Sequence, residues 1–461
     1  MTFTDSIRNR IGVLLPAGTV RARLARGAFW SALGSVGSGC VSIGSFIVVA
    51  RLLGRPTFGK LGWLQSTIGT FGLFAGLTLG PLASKHIAEF KITNHTRAGH
   101  ILGLSFIVGS ISGMLMMLLA VILAPLIASR VINAPELTPC LQIAAPVLLF
   151  SALNGIQTGT LSGLEAFRVL SLSSVLGAVL NGALMITGTA LGGLRGSVIA
   201  WTVSAICGFL INRAFIAREL EKAGFKPVFR GAMQEQDVLW RFMLPSLLSA
   251  SMVAPVTWAV NSILMNTTHG PSEMGLFNAA NQWRTLLLFL PQMLLPPLIP
   301  VVCELNATGQ FARLARTLSR TMMYSSMIVS FLGLPIVLLA PLVMKMYGPE
   351  FVLGATALRF VVLTAVFLSA GIVVGGLLVS ISAMWEAFSL NCFWAIILLV
   401  SATLSARRWG ATGISASYAI AYLLHTIAQI VYFRWKCGKL HSAGSVSAIS
   451  ATGIPSTQRE I

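Results

Sequence analysis

Apolar runs of about 20 residues recur along the chain, separated by short segments that hold charged residues, glycine or proline. A helix of that length crosses the ~30 Å hydrocarbon core of a bilayer, and it satisfies its own backbone hydrogen bonds there. The pattern therefore predicts an all-α polytopic membrane protein. The pattern predicts about twelve spans, at 27–50, 61–83, 101–128, 141–162, 169–191, 197–215, 239–264, 274–301, 322–344, 354–378, 387–406 and 413–433.

The longest polar segment in the interior of the chain separates six predicted spans from the other six. This break predicts two six-helix lobes joined by a cytoplasmic linker. The predicted parts are a cytoplasmic interfacial segment at 1–26, an N-terminal lobe at 27–216, the linker at 217–238, a C-terminal lobe at 239–436 and a disordered cytoplasmic tail at 437–461.

Short matches between the two halves indicate an internal repeat. Each match is weak, but all occur in the same order and at nearly the same offset. They are Gly54-x4-Gly59 with Gly270-x4-Gly275, GLEAF (163–167) with MWEAF (384–388), and GLRGSVIAW (193–201) with GATGISASY (410–418). An even number of spans per half gives parallel repeats related by an axis along the membrane normal. Two such lobes could provide alternating access across the membrane.

Composition supports a membrane environment. Only 10 % of residues are charged and 55 % are hydrophobic, whereas a soluble chain has about 25 % charged residues. The net charge of +19 lies in predicted loops and tails, which favours membrane orientation and lipid headgroup contacts over nucleic-acid binding. With the N-terminus inside, 22 Lys and Arg fall on the cytoplasmic side and 8 outside. This bias predicts that both termini are cytoplasmic.

The sequence contains no recognisable catalytic or cofactor-binding constellation. The six cysteines form no close pair, and we interpret them as small buried hydrophobic residues. The six histidines lack the spacing of metal ligands, and no phosphate-binding glycine loop of the ATPase type is present. We therefore expect no enzyme activity, metal or cofactor.

Three segments resemble the polysaccharide-transporter family of the multidrug/oligosaccharidyl-lipid/polysaccharide (MOP) superfamily. ARLLGRPTFGKLGW (50–63) resembles its early pattern of Ala-Arg-Leu-Leu-Gly, a short turn and aromatic-Gly. GPSEMGLFNAANQWR (270–284) resembles its eighth helix, and MYGPEFVLGATALRF (346–360) the turn before its tenth. Gly76 and Asn261 stand where family members often carry Asp, and Lys85 stands where they often carry Arg.

The resemblance implies a MATE-like fold and a flippase function. Such a protein moves an undecaprenyl-pyrophosphate-linked oligosaccharide across the bacterial inner membrane by alternating access, for O-antigen or exopolysaccharide synthesis. The implied partners are this substrate and membrane lipids, with a polysaccharide polymerase or co-polymerase as a further candidate.

Arg284 is the strongest candidate for a substrate contact. It lies nine residues after Gly275, about 14 Å along a helix and therefore near mid-bilayer. An ionised group there is costly unless it faces water or a partner, and a guanidinium suits a pyrophosphate because it binds bidentately and stays charged. The alternative is a structural role, with Arg284 bonded to a carbonyl or reaching towards the interface.

Other polar residues near or within the spans are weaker candidates for substrate binding. For the cations, the alternative is anchoring at the membrane surface, and for the amides it is hydrogen bonding between helices. These residues are Lys85, Arg51, Arg359, Asn261, Asn281, Gln282 and Gln65, of which the last is the repeat equivalent of Asn281.

Two other functions remain as alternatives. A drug/cation antiporter of the same superfamily requires a carboxylate within the membrane. All 13 Asp and Glu residues, however, fall in predicted loops, tails or span ends. A membrane-bound polysaccharide polymerase usually carries a large outer loop, whereas every predicted outer loop here is short. The flippase is therefore the leading hypothesis.

Overall fold

The computed structural model describes residues 20–76, 79–91, 93–235, 252–380 and 384–451. Every regular element in these ranges is helical. The α-helices are α1 (Val20–Phe74), α2 (Leu79–Phe90), α3 (His95–Leu126), α4 (Thr138–Ala144), α5 (Pro146–Gly163), α6 (Phe167–Ala223), α7 (Val253–Met265), α8 (Gly270–Ala307), α9 (Phe311–Leu338), α10 (Ala340–Lys345), α11 (Ala355–Ser380) and α12 (Met384–Ala451). Short π- or 3₁₀-helical segments lie at Ile127–Val131, Pro135–Leu137, Ala232–Glu235 and Pro349–Gly354.

Seven stretches of the described chain are long and apolar enough to cross a membrane. They are Phe29–Phe74, His95–Val131, Pro135–Gly163, Phe167–Ala223, Arg313–Leu338, Pro349–Gly375 and Trp385–Trp435. On α3, large apolar side chains point out of the protein, with Ile111 64 %, Leu115 57 % and Ile122 71 % exposed. Apolar surface of this kind on a long helix is explained by contact with lipid.

Three of the long helices are interrupted by glycine turns. The backbone leaves helical geometry at Gly54 in α1, at Gly192 and Gly193 in α6, and at Gly410 in α12. In α6 the Thr189 and Ser197 hydroxyls meet at 2.7 Å across the turn, so the chain folds back on itself. Ser405 and Ser417 meet in the same way in α12, at 2.9 Å. Helices α6 and α12 therefore each contain two of the predicted spans, and α1 contains the first predicted span and part of the second.

The predicted second span, 61–83, is not one continuous helix. Helix α1 ends at Phe74 and α2 begins at Leu79, with Gly76 at a φ of +123° between them. An L side chain rarely adopts that φ, so glycine permits the break. The carbonyl of Ala75, which precedes Gly76, accepts a hydrogen bond of 3.1 Å from Ser112 Oγ.

The ends of two other segments also differ from the predictions. The sequence predicts that the sixth span ends at 215, but α6 continues to Ala223, where Gly224 ends it at a φ of +77°. The tail predicted to be disordered, 437–461, is helical as far as Ala451. Extending an existing helix costs less than nucleating a new one, which explains helix in a segment rich in Ser and Ala. Residues 1–19, 236–251 and 452–461 of the predicted segments lie outside the described residues.

The chain divides into two compact units. Unit 1 comprises Met1–Ala279 and Met346–Glu350, and unit 2 comprises Ala280–Lys345 and Phe351–Ile461. The main apolar cluster of unit 1 joins α2, α3, α5 and α6, through buried residues that include Leu82, Leu102, Ile156 and Leu220. In unit 2 a smaller cluster joins α8, α9, α11 and α12, and its buried members are Leu298, Val302, Leu314, Leu318, Val373 and Phe433. Division into lobes at 217–238 stays a prediction.

Candidate substrate-binding site

The basic segment 51–60, which we call the basic turn, contacts partners within unit 1. Arg51 donates through Nε to the Met346 carbonyl at 2.6 Å. Arg55 donates to the Ser272 carbonyl at 3.0 Å and forms an ion pair of 2.9 Å with Glu273. Lys60 pairs with Glu136 at 3.1 Å. Each cation of this segment therefore has a protein partner, which supports a structural role for Arg51 in place of its predicted substrate contact.

Two glycines allow α1 and α8 to approach each other closely beside the basic turn. A Cβ atom on Gly59 would lie 1.9 Å from the Pro271 carbonyl oxygen, and one on Gly275 would lie 2.1 Å from the Arg55 carbonyl oxygen. Neither position has room for a side chain. The sequence predicts Gly54 and Gly59 as two residues of one turn. In the structure only Gly54 makes the turn, with a φ of +71°, whereas Gly59 lies in a helix.

A ladder of side-chain hydrogen bonds joins α1 to α7. Trp63 Nε1 donates to Ser262 Oγ at 3.1 Å, and Trp258 Nε1 donates to Thr67 Oγ1 at 3.0 Å. Between these two bonds in the sequence of α7, Asn261 Nδ2 donates to Ser66 Oγ at 2.8 Å. Asn261 is buried, and its amide donor connects two helices, which is the structural alternative considered for it.

Arg284 lies in α8, within unit 2, and is half-buried. Its guanidinium carbon lies 5.2 Å from the centre of the Tyr418 ring, a cation–π distance. Among the described residues, no carboxylate lies within ion-pair distance of it. An aromatic face stabilises a cation without neutralising it, so Arg284 keeps its charge available for an anion.

Asn281 precedes Arg284 by one helical turn, so the two side chains share one face of α8. Asn281 Oδ1 is buried and has no hydrogen-bond partner among the described residues. Gln282 is half-buried and points away from Arg284, because it is two residues from it on the helix. Of the predicted site residues, the helix thus brings Arg284 and Asn281 onto one face.

The remaining predicted site residues lie apart from Arg284. Lys85 is exposed on α2, beside His86, and Gln65 is half-buried on α1; both belong to unit 1. Arg359 is exposed on α11, and its Nε donates weakly to the Val337 carbonyl at 3.4 Å. The exposed positions of Lys85 and Arg359 agree with anchoring at the membrane surface, which is the alternative to substrate binding for these two residues.

Sequence reasoning missed the aromatic residue that Arg284 contacts, Tyr418, and the aromatic cluster to which Tyr418 belongs. Tyr418 and Tyr422 stack on α12 with ring centres 6.4 Å apart, and Trp394 lies 5.3 Å from Tyr422. The signal was present in the last span, where polar and aromatic residues recur every three or four positions from Ser415 to Gln429. That spacing places them on one helical face.

Unit 1 also contains a cavity of about 510 Å³. Its lining includes Trp30, Glu165, Arg168 and Glu219, and Arg168 lies 5.6 Å from the Trp30 ring centre. Its two carboxylates form ion pairs with Lys91 and Lys222, and none of the predicted site residues belongs to its lining. Within the described residues, no group of three or more His, Cys, Asp or Glu could hold a metal ion.

Comparison with known proteins agrees with this architecture. The model of a family described as polysaccharide biosynthesis proteins matches residues 24–306, more than half of the chain. The chain is similar to the EPS I polysaccharide export inner membrane protein EpsE of Ralstonia solanacearum, with 24 % identity over 81 % of this chain and 88 % of that protein. The EpsE protein of Ralstonia nicotianae is 25 % identical, and the match covers 61 % of this chain and 64 % of that relative.

Solved structures share the fold at low sequence identity. A multidrug resistance MATE family transporter of the MOP superfamily, in an inward-facing conformation, matches with a TM-score of 0.73 and 18 % identity over 89 % of this chain and 96 % of that one. A MOP superfamily transporter from Pyrococcus furiosus, described as having a binding pocket of reverse polarity, matches with a TM-score of 0.66 and 20 % identity over 91 % and 96 %. The chain therefore has the MATE-like fold of a multi-pass helical membrane protein.

Proposed function

The chain belongs to the polysaccharide biosynthesis protein family, and from this membership we propose that it is a flippase for a lipid-linked oligosaccharide in the bacterial inner membrane. At the coarser level it is a polysaccharide transporter of the MOP superfamily. The proposed substrate is an oligosaccharide on undecaprenyl pyrophosphate, which moves from the cytoplasmic to the outer leaflet for surface polysaccharide synthesis.

One observation carries the proposal: α8 holds a cation that the described protein does not neutralise. Arg284 contacts an aromatic ring and no carboxylate among these residues. A charge kept within an apolar span at this cost is usually functional. A guanidinium binds two oxygens of a phosphate at once, so the pyrophosphate is the part of the substrate that Arg284 would hold.

Asn281 supports a role for this face in binding sugars. Its buried Oδ1 has no hydrogen-bond partner among the described residues, so it can accept from a hydroxyl group of the substrate. In the proposed mechanism Arg284 and Asn281 hold the headgroup while the polyprenyl tail stays in the lipid. A change of access from one side of the membrane to the other then exposes the headgroup outside, with both termini of the protein cytoplasmic.

Flipping by the purified full chain in proteoliposomes tests this proposal. The substrate is a fluorescent lipid-linked oligosaccharide, and an impermeant quencher reports its outer-leaflet fraction over time. We expect Arg284→Ala to reduce the rate about 30-fold or more, because losing a buried charge contact costs on the order of 2–5 kcal/mol. Arg284→Lys should recover part of the rate, since it restores the charge without the planar fork.

Arg359→Ala is the matched control, because it removes an exposed arginine from another span of unit 2. This variant should flip at the wild-type rate. Equal rates for Arg284→Ala and wild type would remove Arg284 from the site. An absence of flipping by the wild-type protein, with the substrate and the quencher verified, would contradict the flippase function itself.

The MATE-like fold also fits a second candidate, an antiporter of drugs or other organic cations. That function requires a carboxylate to attract the cation, whereas the charge found on this face of α8 is positive. In the same liposomes, a fluorescent organic cation distinguishes the two. Its transport together with failure to flip the lipid would favour the antiporter.

A further inference from the structure

The last span places polar side chains on the face where a membrane helix usually packs with apolar ones. Spacings of three and four residues put them at the a and d positions of a heptad, on one side of the helix. We call this row the polar seam, and it consists of Ser415, Tyr418, Tyr422, His425 and Gln429. Polar groups within a span are costly and usually functional.

Aromatic contacts extend the seam from Arg284 to His425. The guanidinium of Arg284 lies over Tyr418, and the Tyr418 and Tyr422 rings stack at an interplanar angle of 17°. The Tyr422 ring contacts the His425 ring edge-on, with their centres 6.4 Å apart. Tyr418 and His425 are seven residues apart, about 10 Å along the helix. The cation and the imidazole therefore belong to one connected cluster within unit 2.

Several polar atoms along the seam are buried and have no hydrogen-bond partner among the described residues. They are His425 Nε2, Gln429 Oε1, Ser415 Oγ and, on the facing half of α12, Trp394 Nε1. His425 is 7 % and Gln429 5 % exposed. A water molecule or a proton can reach buried groups of this kind. Among these groups, the histidine imidazole is the one that binds a proton near neutral pH.

We propose that His425 is a proton-binding site within the membrane, and that an anion held by Arg284 promotes its protonation. The reaction adds one proton from bulk water to a ring nitrogen of His425 and changes no other bond. A buried imidazolium that lacks a counter-charge is costly. An anion at Arg284 supplies that counter-charge, so anion binding and proton uptake support each other. This inference rests on the pyrophosphate site of the proposed function.

The charged and titratable groups around His425 agree with this assignment. Helix α12 itself contributes Tyr418 and Tyr422 to the cluster, and α8 contributes Arg284, while Glu304 of α8 is exposed. On α11, the Phe367 carbonyl accepts from Thr426, next to His425, and the titratable residue of that helix is the exposed Arg359. The titratable side chains of α9 are all exposed: Arg313, Arg316, Arg320 and Tyr324.

Glu386 gives the cluster a connection to one end of the span. It lies in the first turn of α12 and accepts a hydrogen bond of 3.1 Å from Tyr432 Oη. Tyr432 follows Gln429 by three residues, so it continues the seam on the same face. Polar side chains therefore extend along this face from His425 to Tyr432, which is hydrogen-bonded to the first turn of α12.

Nuclear magnetic resonance of the ¹⁵N-histidine-labelled full chain in nanodiscs tests the proposal. The spectrum of His425→Gln identifies the His425 signals among the six histidines. We expect the imidazole to change from neutral to cationic as pH is lowered, and to do so at a higher pH when inorganic pyrophosphate is present. A ring that stays neutral from about pH 4 to 9 under both conditions would overturn the proposal, because no proton would bind in the range where histidine titrates.

Calorimetry in two buffers with different ionisation enthalpies counts the protons taken up when pyrophosphate binds. Wild type should take up more protons than His425→Gln, and this difference removes the protons that pyrophosphate itself exchanges. His95→Gln, a change in unit 1, should behave as wild type. Equal uptake by wild type and His425→Gln would overturn the linkage while leaving the anion site intact. If pyrophosphate produces no binding heat, the anion site of the proposed function fails, and the linkage fails with it.

Discussion

The basic turn of unit 1 and the polar seam of unit 2 both place polar or charged side chains close to an apolar environment. The cations of the basic turn have hydrogen-bond or ion-pair partners, whereas several polar atoms of the seam have none among the described residues. In the basic turn, Arg55 binds a carboxylate and a carbonyl, and Lys60 binds a second carboxylate. Beside the seam, Arg284 contacts only the aromatic face of Tyr418 among the described residues, and within the seam His425 Nε2 is without a partner there.

This difference distinguishes, within one chain, polar groups that stabilise the fold from polar groups that are retained for function. A hydrogen-bonded or paired polar group contributes to stability, so removing its partner lowers the free energy of unfolding. A buried polar group without a partner costs stability, so an apolar replacement should raise the free energy of unfolding and impair whatever function retains the group. Substitutions in the two regions should therefore have opposite effects on stability.

The largest expected effect is at the helix contact beside the basic turn. Gly59→Ala places a methyl group against the Pro271 carbonyl, and the helices must separate to accept it. We expect a loss of about 1–3 kcal/mol, the cost typical of overpacking, seen as a lower Tm in detergent. Gly69→Ala is the control, because nothing lies within 4 Å of a Cβ there. Similar Tm values for both variants would show that α1 and α8 are not in close contact.

The next largest effect is expected for the ion pair of Arg55 and Glu273. Its side chains are only 15 % and 23 % exposed, so water screens the pair incompletely. A double-mutant cycle with Arg55→Gln and Glu273→Gln should give a coupling energy of about 1 kcal/mol from the free energies of unfolding. Additive effects of the two substitutions would mean that the pair does not hold the basic turn.

A matched pair of serines in α12 tests the opposite sign. Ser415→Ala removes a buried hydroxyl that has no partner among the described residues, and we expect the free energy of unfolding to rise by up to about 1 kcal/mol. Ser417→Ala removes a hydroxyl that bonds to the Gly413 carbonyl and to Ser405, so it should lower that energy by about 1 kcal/mol. Destabilisation by both variants would contradict the contrast between the two regions.

The smallest effect is expected for Lys60 and Glu136. Glu136 is 57 % exposed, and exposed ion pairs contribute about 0.2–1 kcal/mol, less at high salt. Lys60→Gln should therefore lower Tm slightly at low salt and leave it unchanged at about 1 M NaCl. A large effect that persists at high salt would place this pair with Arg55 and Glu273.

The sequence predicts the helical membrane fold well, because an apolar run of about 20 residues has the length that a helix needs to cross a lipid bilayer. The glycine turns in α1, α6 and α12 fall within the predicted gaps between spans. The break at Gly76 could not be predicted, because the surrounding residues are as apolar as those of an intact span. Only the backbone geometry shows that this glycine has a positive φ.

The candidate site is predicted in part. Arg284 stands out because its charge lies deep in an apolar run, and the structure adds the Tyr418 ring that carries it. Arg51 is a weaker candidate from the sequence, and the structure shows that its partner is a backbone carbonyl 295 residues away. Any residue can supply a backbone carbonyl, so no sequence pattern could reveal this partner of Arg51. Tyr422 and His425 could be recognised as site candidates only by considering together all the residues on one face of the last span.

The contact between Gly59 and Gly275 has a further consequence. The two glycines are 216 positions apart, and so are Arg55 and Pro271, whose carbonyls they meet. Gly59 thus approaches the carbonyl of Pro271, four residues before Gly275. In return, Gly275 approaches the carbonyl of Arg55, four residues before Gly59. This reciprocity is the mark of an isologous interface, the kind that joins identical subunits across a two-fold axis. Here a single polypeptide contains such an interface, as though it were a homodimer whose two subunits had been fused.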